Sequence, residues 1–239
     1  MRFGAKVIYT QTKWIEQLYG LDRLYQVLLV TGIIVAVVSY LLGCFNGAVI
    51  VSKYILRDDV RKHGSGNAGL TNFYRTFGGP LTAVVILCDV LKMVLAVQVG
   101  VWAFRLLKIT DPLAVVYIKC WAGMFCVLGH MYPCMFKFKG GKGVLSGGTL
   151  LWLIDWRIAL VSWVGFLVLA ALTRWVSLGS CWAGFVYPFS TWFVYHDVIL
   201  VLVAIGPGWL RVWKHRGNLK RVLNGTESNF SFHRKKNAG

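Results

Sequence analysis

The chain has 239 residues, of which 57% are hydrophobic and 15% charged, and its mean hydropathy is +0.61. Soluble domains carry about a quarter charged residues, so the composition excludes an ordinary soluble domain and points to an integral membrane protein. The net charge of +17, from 26 Lys and Arg against 9 Asp and Glu, suits lipid head groups or a phosphorylated substrate; nucleic acid is not an expected partner, because the bases sit between apolar runs.

Residues 1–23 mix charges with Trp14, Leu18 and Tyr19, which reads as an amphipathic segment on the membrane surface or a leader. No small-residue cleavage site follows a short apolar core, so the first apolar run is expected to be retained. A spanning helix needs roughly 20 apolar residues. Leu24 to Ser52, Thr76 to Phe104, Pro112 to Met131 and Trp175 to Tyr195 meet that need. Val144 to Ile154, Ile158 to Leu172 and Val198 to Leu210 are weaker runs. The expected fold is an all-α membrane protein with about seven transmembrane helices, four to six being the alternative. Residues 24–213 form the membrane domain and 214–239 a basic tail. The six cysteines show no CxxC pair and read as reduced packing residues.

Seven spans put residues 53–75, 132–143, 173–174 and everything from 211 onward on one side, with 17 of the 26 basic residues. The richer side is expected to be cytoplasmic, so the N-terminus is outside and the C-terminus inside. Every segment with chemical character then shares the cytoplasmic face.

The first such segment, "HGSGNAGLTN", contains GxGxxG, with Asp89 twenty residues past Gly69. A dinucleotide loop needs a buried strand before the glycines, and "LRDDVRKH" cannot supply one. Gly64, Gly66 and Gly69 instead allow backbone N–H groups to approach an anion. Ser65, Asn67, Thr71 and Asn72 add neutral donors, and Arg61, Lys62 and Arg75 add charge; a turn with a solvated basic rim is the alternative. The second segment, "FKFKGGKG", sets Lys137, Lys139 and Lys142 around Gly140, Gly141 and Gly143, with His130 upstream. Phe136 and Gly143 break the Walker pattern, yet the cradle suits phosphate. In the third segment, "WKHRGNLKRVLNGTES", His215 and Asn218 share a helical face. Asp89 and Lys92, three apart inside an apolar run, read as a structural ion pair or a support for the site. The cytoplasmic-face carboxylates are too few and scattered for a metal, and no cofactor is expected.

With these motifs in view, the chain from about Tyr40 to Glu227 resembles the PlsY family, bacterial membrane glycerol-3-phosphate acyltransferases that use acyl phosphate. "GSGNAGLTNFYR" is similar to that family's GSGNxGxTNxxR, and "GHMYPCMFKFKGGKGV" to its GHxxPxFxxFKGGKGV. "LCDVLKM", "LTRWVSL" and "KHRGNLKRVLNGTE" follow in kind. Cys44 and Asn46 depart from the family's GSIPFG, which has Ser and Pro there, and "GVLS" departs from GVAT, although Ser146 keeps the hydroxyl.

The resemblance implies transfer of a fatty acyl group from acyl phosphate to the sn-1 hydroxyl of glycerol 3-phosphate. The products are lysophosphatidic acid and phosphate, made at the inner face of the bacterial cytoplasmic membrane. Expected partners are the two substrates, membrane lipid and the enzyme that makes acyl phosphate. Lys139, Lys142 and the backbone of Gly140 to Gly143 are expected to hold one phosphate. Ser65, Asn67, Thr71 and Asn72, with Arg61 or Lys53, are expected to hold the other anion or line the site, with Ser146 nearby. His215 and Asn218 are expected to orient the glycerol. The proton passes either to His130 or His215 or to a donor phosphate oxygen, the histidines then only positioning. None of the five histidines has Asp five positions later, which disfavours the soluble-donor class of such enzymes. A transporter of phosphate or an organic phosphate is the rival reading, and the lack of an internal repeat weighs against it.

Overall fold

The computed structural model describes residues 21–229, so residues 1–20 of the amphipathic or leader segment, and 230–239 of the basic tail, lie outside the described residues. Helices and turns make up the described chain. The first apolar run is not one helix. Helix α1 (Leu21–Cys44) stops at Phe45, and Asn46 starts α2 (Gly47–Ile50) by accepting from the Val49 amide through Oδ1 at 3.1 Å. A π turn over Val51–Ile55 then leads to the surface. After the first loop come α3 (Leu70–Thr76) and, past Gly78 and Gly79 at positive φ, α4 (Leu81–Leu106). Asp111 caps α5 (Pro112–Met131), whose first-turn proline lacks an N–H to leave unsatisfied. Asp155 both ends α6 (Val144–Ile154) and caps α7 (Trp156–Thr173), while Asp197 caps α9 (Val198–Lys214) after α8 (Val176–Tyr195). Helix α10 (Arg216–Leu223) follows at a bend of 48°.

Each of the seven expected runs is helical, but they differ as spans. Four candidates are long and apolar enough, covering Asp22–Ile55, α4, Pro112–Phe136 and α7, and α9 with α10 makes a fifth. Helix α8 has the length expected of Trp175 to Tyr195, but not the apolarity. Ser177, Ser180, Ser190 and Thr191 are buried in it and turned into the bundle. Helix α6 has 11 residues, a rise of about 16 Å, which is half the hydrocarbon thickness of about 30 Å.

Small residues let the helices meet closely. A Cβ on Gly43 would collide with the Cys126 carbonyl and one on Gly129 with the Tyr40 carbonyl, which locks α1 against α5. Gly184 and Gly208 do the same for α8 and α9. The main core, including Met93, Leu150, Ile158 and Leu200, joins α4, α6, α7 and α9. Leu29, Leu91, Leu167, Phe185 and Leu202 point outward, as lipid-facing side chains do. The polar connections sort onto two faces. At one, Tyr117 donates to Asp197 at 2.6 Å and Tyr195 to Asp155 at 3.3 Å. At the other, the first loop, the glycine–lysine loop, the start of α8 and the segment after α9 are bonded together, as expected for segments sharing one side.

Candidate functional site

The first loop is braced from within. The Asn72 amide donates to the carbonyls of Val60 and His63, each at 3.0 Å, and its oxygen accepts from the Ser65 amide at 3.0 Å. Gly64 has φ 53° and faces that oxygen so closely that a Cβ would collide with it. Expected as an anion donor, Asn72 spends its amide on shaping the loop. Asn67 and Thr71 are half-buried and Ser65 exposed. Lys53 is exposed beside the Tyr54 ring.

Arg61 is a strut between loops. It grips Asp59 through Nε at 2.9 Å and Nη2 at 2.6 Å, and Nη1 donates to the carbonyls of Phe136 and Lys139 at 3.0 and 3.3 Å. This clamp holds the Asp59 carboxyl below its usual range. The glycine–lysine loop lies between Arg61 and the end of α5. The Gly141 amide donates to the His130 carbonyl at 3.1 Å, and a Cβ there would strike both His130 Nε2 and the Ala68 carbonyl. Gly143, at φ 68°, opens α6 with no side-chain cap. The Lys139 side chain is exposed.

Behind this loop sits a buried triad. Lys92 Nζ donates to Asp89 Oδ1 at 2.7 Å, His130 Nδ1 at 2.7 Å and the Phe45 carbonyl at 3.1 Å. An ammonium has three protons and nothing to accept with, so Nδ1 is the acceptor and His130 carries its proton on Nε2, beside Gly141. Ser146, buried, donates to the Asp89 carbonyl at 3.4 Å. The i, i+3 spacing made the Asp89–Lys92 pair visible in the sequence; its bond to His130, which links the pair to the loop, was not. Asn46, whose amide donates to the Ala68 carbonyl at 3.0 Å, supports the same corner.

The third segment closes the site. His215 ends α9 by donating from Nδ1 to the Arg211 carbonyl at 2.8 Å, which leaves Nε2 as its remaining polar atom. Lys142 donates to Asn218 Oδ1, and the Asn218 amide donates to Glu227 Oε1 at 2.7 Å. Ser177 donates to the same oxygen at 2.8 Å and Arg221 to Oε2 at 2.9 Å. Glu227, quoted in a motif above but assigned no role, is thus the carboxylate that organises the third segment. Burial pushes the Lys142 ammonium down to about 8. Lys142, His215 and Asn218 therefore converge, whereas Lys53 and Lys139 face solvent and Ser146 faces α4. Arg211, which lies just past the last apolar run and was counted with the basic residues of the cytoplasmic side, is in the last turn of α9 and 4% exposed.

An apolar groove of about 600 Å³ runs between α5 and α9, lined by Met124, Val127, Leu128, Ile205, Leu210 and Trp213. Val127 also packs on Gly143, its Cγ1 lying 3.3 Å from where a Cβ would sit. Val127 therefore lies between the groove and the glycine–lysine loop.

A family model described as glycerol-3-phosphate acyltransferase matches residues 33–225. Among curated relatives, the glycerol-3-phosphate acyltransferase of Clostridioides difficile (strain 630) is 40% identical over 196 residues, covering 82% of this chain and 93% of its own. That of Bacillus subtilis (strain 168) is 36% identical over 191 residues, covering 80% and 93%. The crystal structure of PlsY, an integral membrane glycerol 3-phosphate acyltransferase, in its glycerol 3-phosphate form superposes with a TM-score of 0.74 at 30% identity. It covers 84% of this chain and 96% of that one. A lysophosphatidic acid form of PlsY gives a TM-score of 0.71 at the same identity, covering 84% and 95%.

Proposed function

The chain belongs to the glycerol-3-phosphate acyltransferase family and is a multi-pass membrane acyltransferase, and from that premise we propose that its donor is an acyl phosphate and that Lys142, His215 and Asn218 form the acceptor site. The observation that carries this reading is the convergence of those three side chains at the glycine–lysine loop, with the apolar groove one side chain, Val127, away. The two substrates are anionic, and the loop presents glycine backbone and a lysine to them. The glycerol hydroxyl attacks the acyl carbonyl carbon, the carbon–oxygen bond to the donor phosphate breaks, and inorganic phosphate leaves. Because phosphate is a good leaving group, donors for the developing oxyanion matter more than a covalent nucleophile.

The proton of the attacking hydroxyl goes to a donor phosphate oxygen. His130 supports that choice, since its Nδ1 already accepts from Lys92 and its Nε2 is protonated beside Gly141. It shapes the loop, as do Arg61, Gly64, Gly66 and Asn72, while Ser146 ties α6 to α4 through the Asp89 carbonyl. His215 and Asn218 hold the glycerol end. The gathering of the basic segments at one end of the bundle supports, by the excess of Lys and Arg expected in cytoplasmic loops, an outside N-terminus and a site at the cytoplasmic face of the inner membrane.

The acyl chain lies in the α5–α9 groove, whose volume falls within the roughly 300–1,000 Å³ of small-molecule sites. Gly206 forms part of its wall, and a Cβ there would meet only Met124 Sδ at 3.8 Å. Gly206→Leu is expected to fill the groove without disturbing α9. Palmitoyl phosphate turnover should fall about tenfold and octanoyl phosphate turnover stay within about twofold, since about 1–3 kcal/mol separates ligands differing by little in an apolar pocket. Equal losses for both donors would remove the chain from this groove.

The whole reading is tested by purified protein in lipid vesicles with palmitoyl phosphate and labelled glycerol 3-phosphate, palmitoyl-CoA serving as the parallel donor. One phosphate released per lysophosphatidic acid, with acyl phosphate alone, is expected. Turnover with the CoA ester alone would overturn the donor assignment.

A further inference from the structure

Arg211 is charged, 4% exposed and without a counterion. Its Nε has no hydrogen-bond partner, and no ion pair reaches the side chain among the described residues. Burying a guanidinium in this way is costly, and ionisable groups inside membrane bundles generally mark a function. The bundle makes room for it. A Cβ on Gly147 would collide with the guanidinium Nη2, and Gly184 on α8 lies within 3.4 Å of the Arg211 Cβ when given one of its own.

The guanidinium packs near the positive end of a helix. Gly147 is the fourth residue of α6, an eleven-residue helix whose N-cap, Gly143, supplies no side-chain cap, and the Gly147 N–H closes the first helical bond, to the Gly143 carbonyl at 2.9 Å. The first-turn N–H groups have no intrahelical acceptor and carry the positive end of the helix dipole. Lys142 immediately precedes that turn. The nearest carboxylate of the third segment, Glu227, is already engaged by Asn218, Ser177 and Arg221. A guanidinium, a lysine and a helix N-terminus of like sign are stable together when an anion lies between them.

We infer that Arg211 is a further substrate-binding residue that holds the phosphate of the acyl donor against the start of α6. The choice of donor over acceptor comes from depth. Arg211 lies one helical turn below His215, about 5.4 Å further into the bundle. The lipophilic donor enters from the membrane, whereas glycerol 3-phosphate enters from water and meets His215 and Asn218 first. This inference rests on the acyl-phosphate reading above.

The test uses the full chain in lipid vesicles, as wild type, Arg211→Met and Arg211→Lys. Palmitoyl phosphate and glycerol 3-phosphate are each varied, and thermal unfolding is followed without substrate. Wild-type turnover with palmitoyl phosphate comes first, and its absence would sink the donor reading rather than the role of Arg211 alone. With that turnover in hand, Arg211→Met should lower kcat/KM for palmitoyl phosphate about a hundredfold. KM for glycerol 3-phosphate should stay within about twofold. Because methionine removes an uncompensated buried charge, the substrate-free Tm should stay the same or rise, and Arg211→Lys should recover part of the lost activity. A fall in Tm with no rescue by lysine would make Arg211 a packing residue. A KM effect confined to glycerol 3-phosphate would assign the anion to the acceptor. Either result overturns the proposal. As a second variant, Gly147→Ala displaces the guanidinium without deleting it and should raise KM for palmitoyl phosphate in the same direction; unchanged kinetics there would also count against it.

Discussion

Lys142→Met is expected to reduce kcat/KM for glycerol 3-phosphate by about 100- to 1,000-fold, the range seen when one preorganised donor is removed from a developing charge. Lys142 is half-buried, reaches Asn218 and through it Glu227, and stands at the entrance to α6, so its loss removes both a charge and the alignment of the acceptor residues. The same lysine sets a pH signature. Burial lowers its ammonium to about 8, and the charged form is the one that binds phosphate. The competent state is therefore present below that pH and is lost as pH rises through it. A plot of kcat/KM, which reports the free enzyme, should fall with an alkaline limb near 8. Lys142→Arg should remove that limb while still lowering the rate, because a planar fork does not replace a compact ammonium. A profile flat through pH 9 in the wild type, or full activity in Lys142→Arg, would dismiss the tight cradle.

Lys92→Met is the second large effect expected. It leaves Asp89 ionised and buried beside His130, 3.6 Å away, and stripping one member from a buried pair costs about 3–5 kcal/mol. Thermal unfolding in detergent should show the loss directly. The double variant Asp89→Leu, Lys92→Met removes both charges and should regain most of that stability. Activity should not return with it, since His130 would lack the donor that fixes its ring beside Gly141. If the single and double variants are equally unstable, the pair is not coupled. If the double variant is fully active, the triad does not serve the loop.

Much of the architecture was legible because bilayers demand length and apolarity, and α4 and α5 carry both; α7, read as one of the weaker runs, meets the same demand once Trp156 and Thr173 extend it. Where the reading failed, one residue usually had a partner far along the chain. Asn46 looks like a single polar residue inside the first apolar run. Its side chain becomes a helix cap and a bond to Ala68 only once the first loop has folded back. Absence of charge made Trp175 to Tyr195 look apolar, while its hydroxyls were turned inward. Arg211 follows the last apolar run and so read as one of the exposed bases of the cytoplasmic side, although α9 continues to Lys214 and buries it. The structure brings the two glycine loops, His215 and Asn218 to one face, where the motifs led them to be expected. The motifs did not separate residues that meet substrate from those that hold the loops. Asn72 and Arg61 carry the donors a phosphate would want, but the Asn72 amide is spent on Val60 and His63, and four of the five Arg61 N–H groups on Asp59, Phe136 and Lys139.

The shortness of α6 bears on how its two ends are held. Its C-terminal end at Asp155 carries a carboxylate gripped by Arg157 and Tyr195, groups that demand hydration. A helix of about 16 Å covers only half of a layer about 30 Å thick, whereas α8, whose last residue is Tyr195, rises about 30 Å over its 20 residues. The bond from Tyr195 to Asp155 therefore ties the end of the short helix to the end of a full-length one. The start of α6 adjoins the glycine–lysine loop and its end carries Asp155, so a shift of the α8 terminus would be passed to that loop along one short rod.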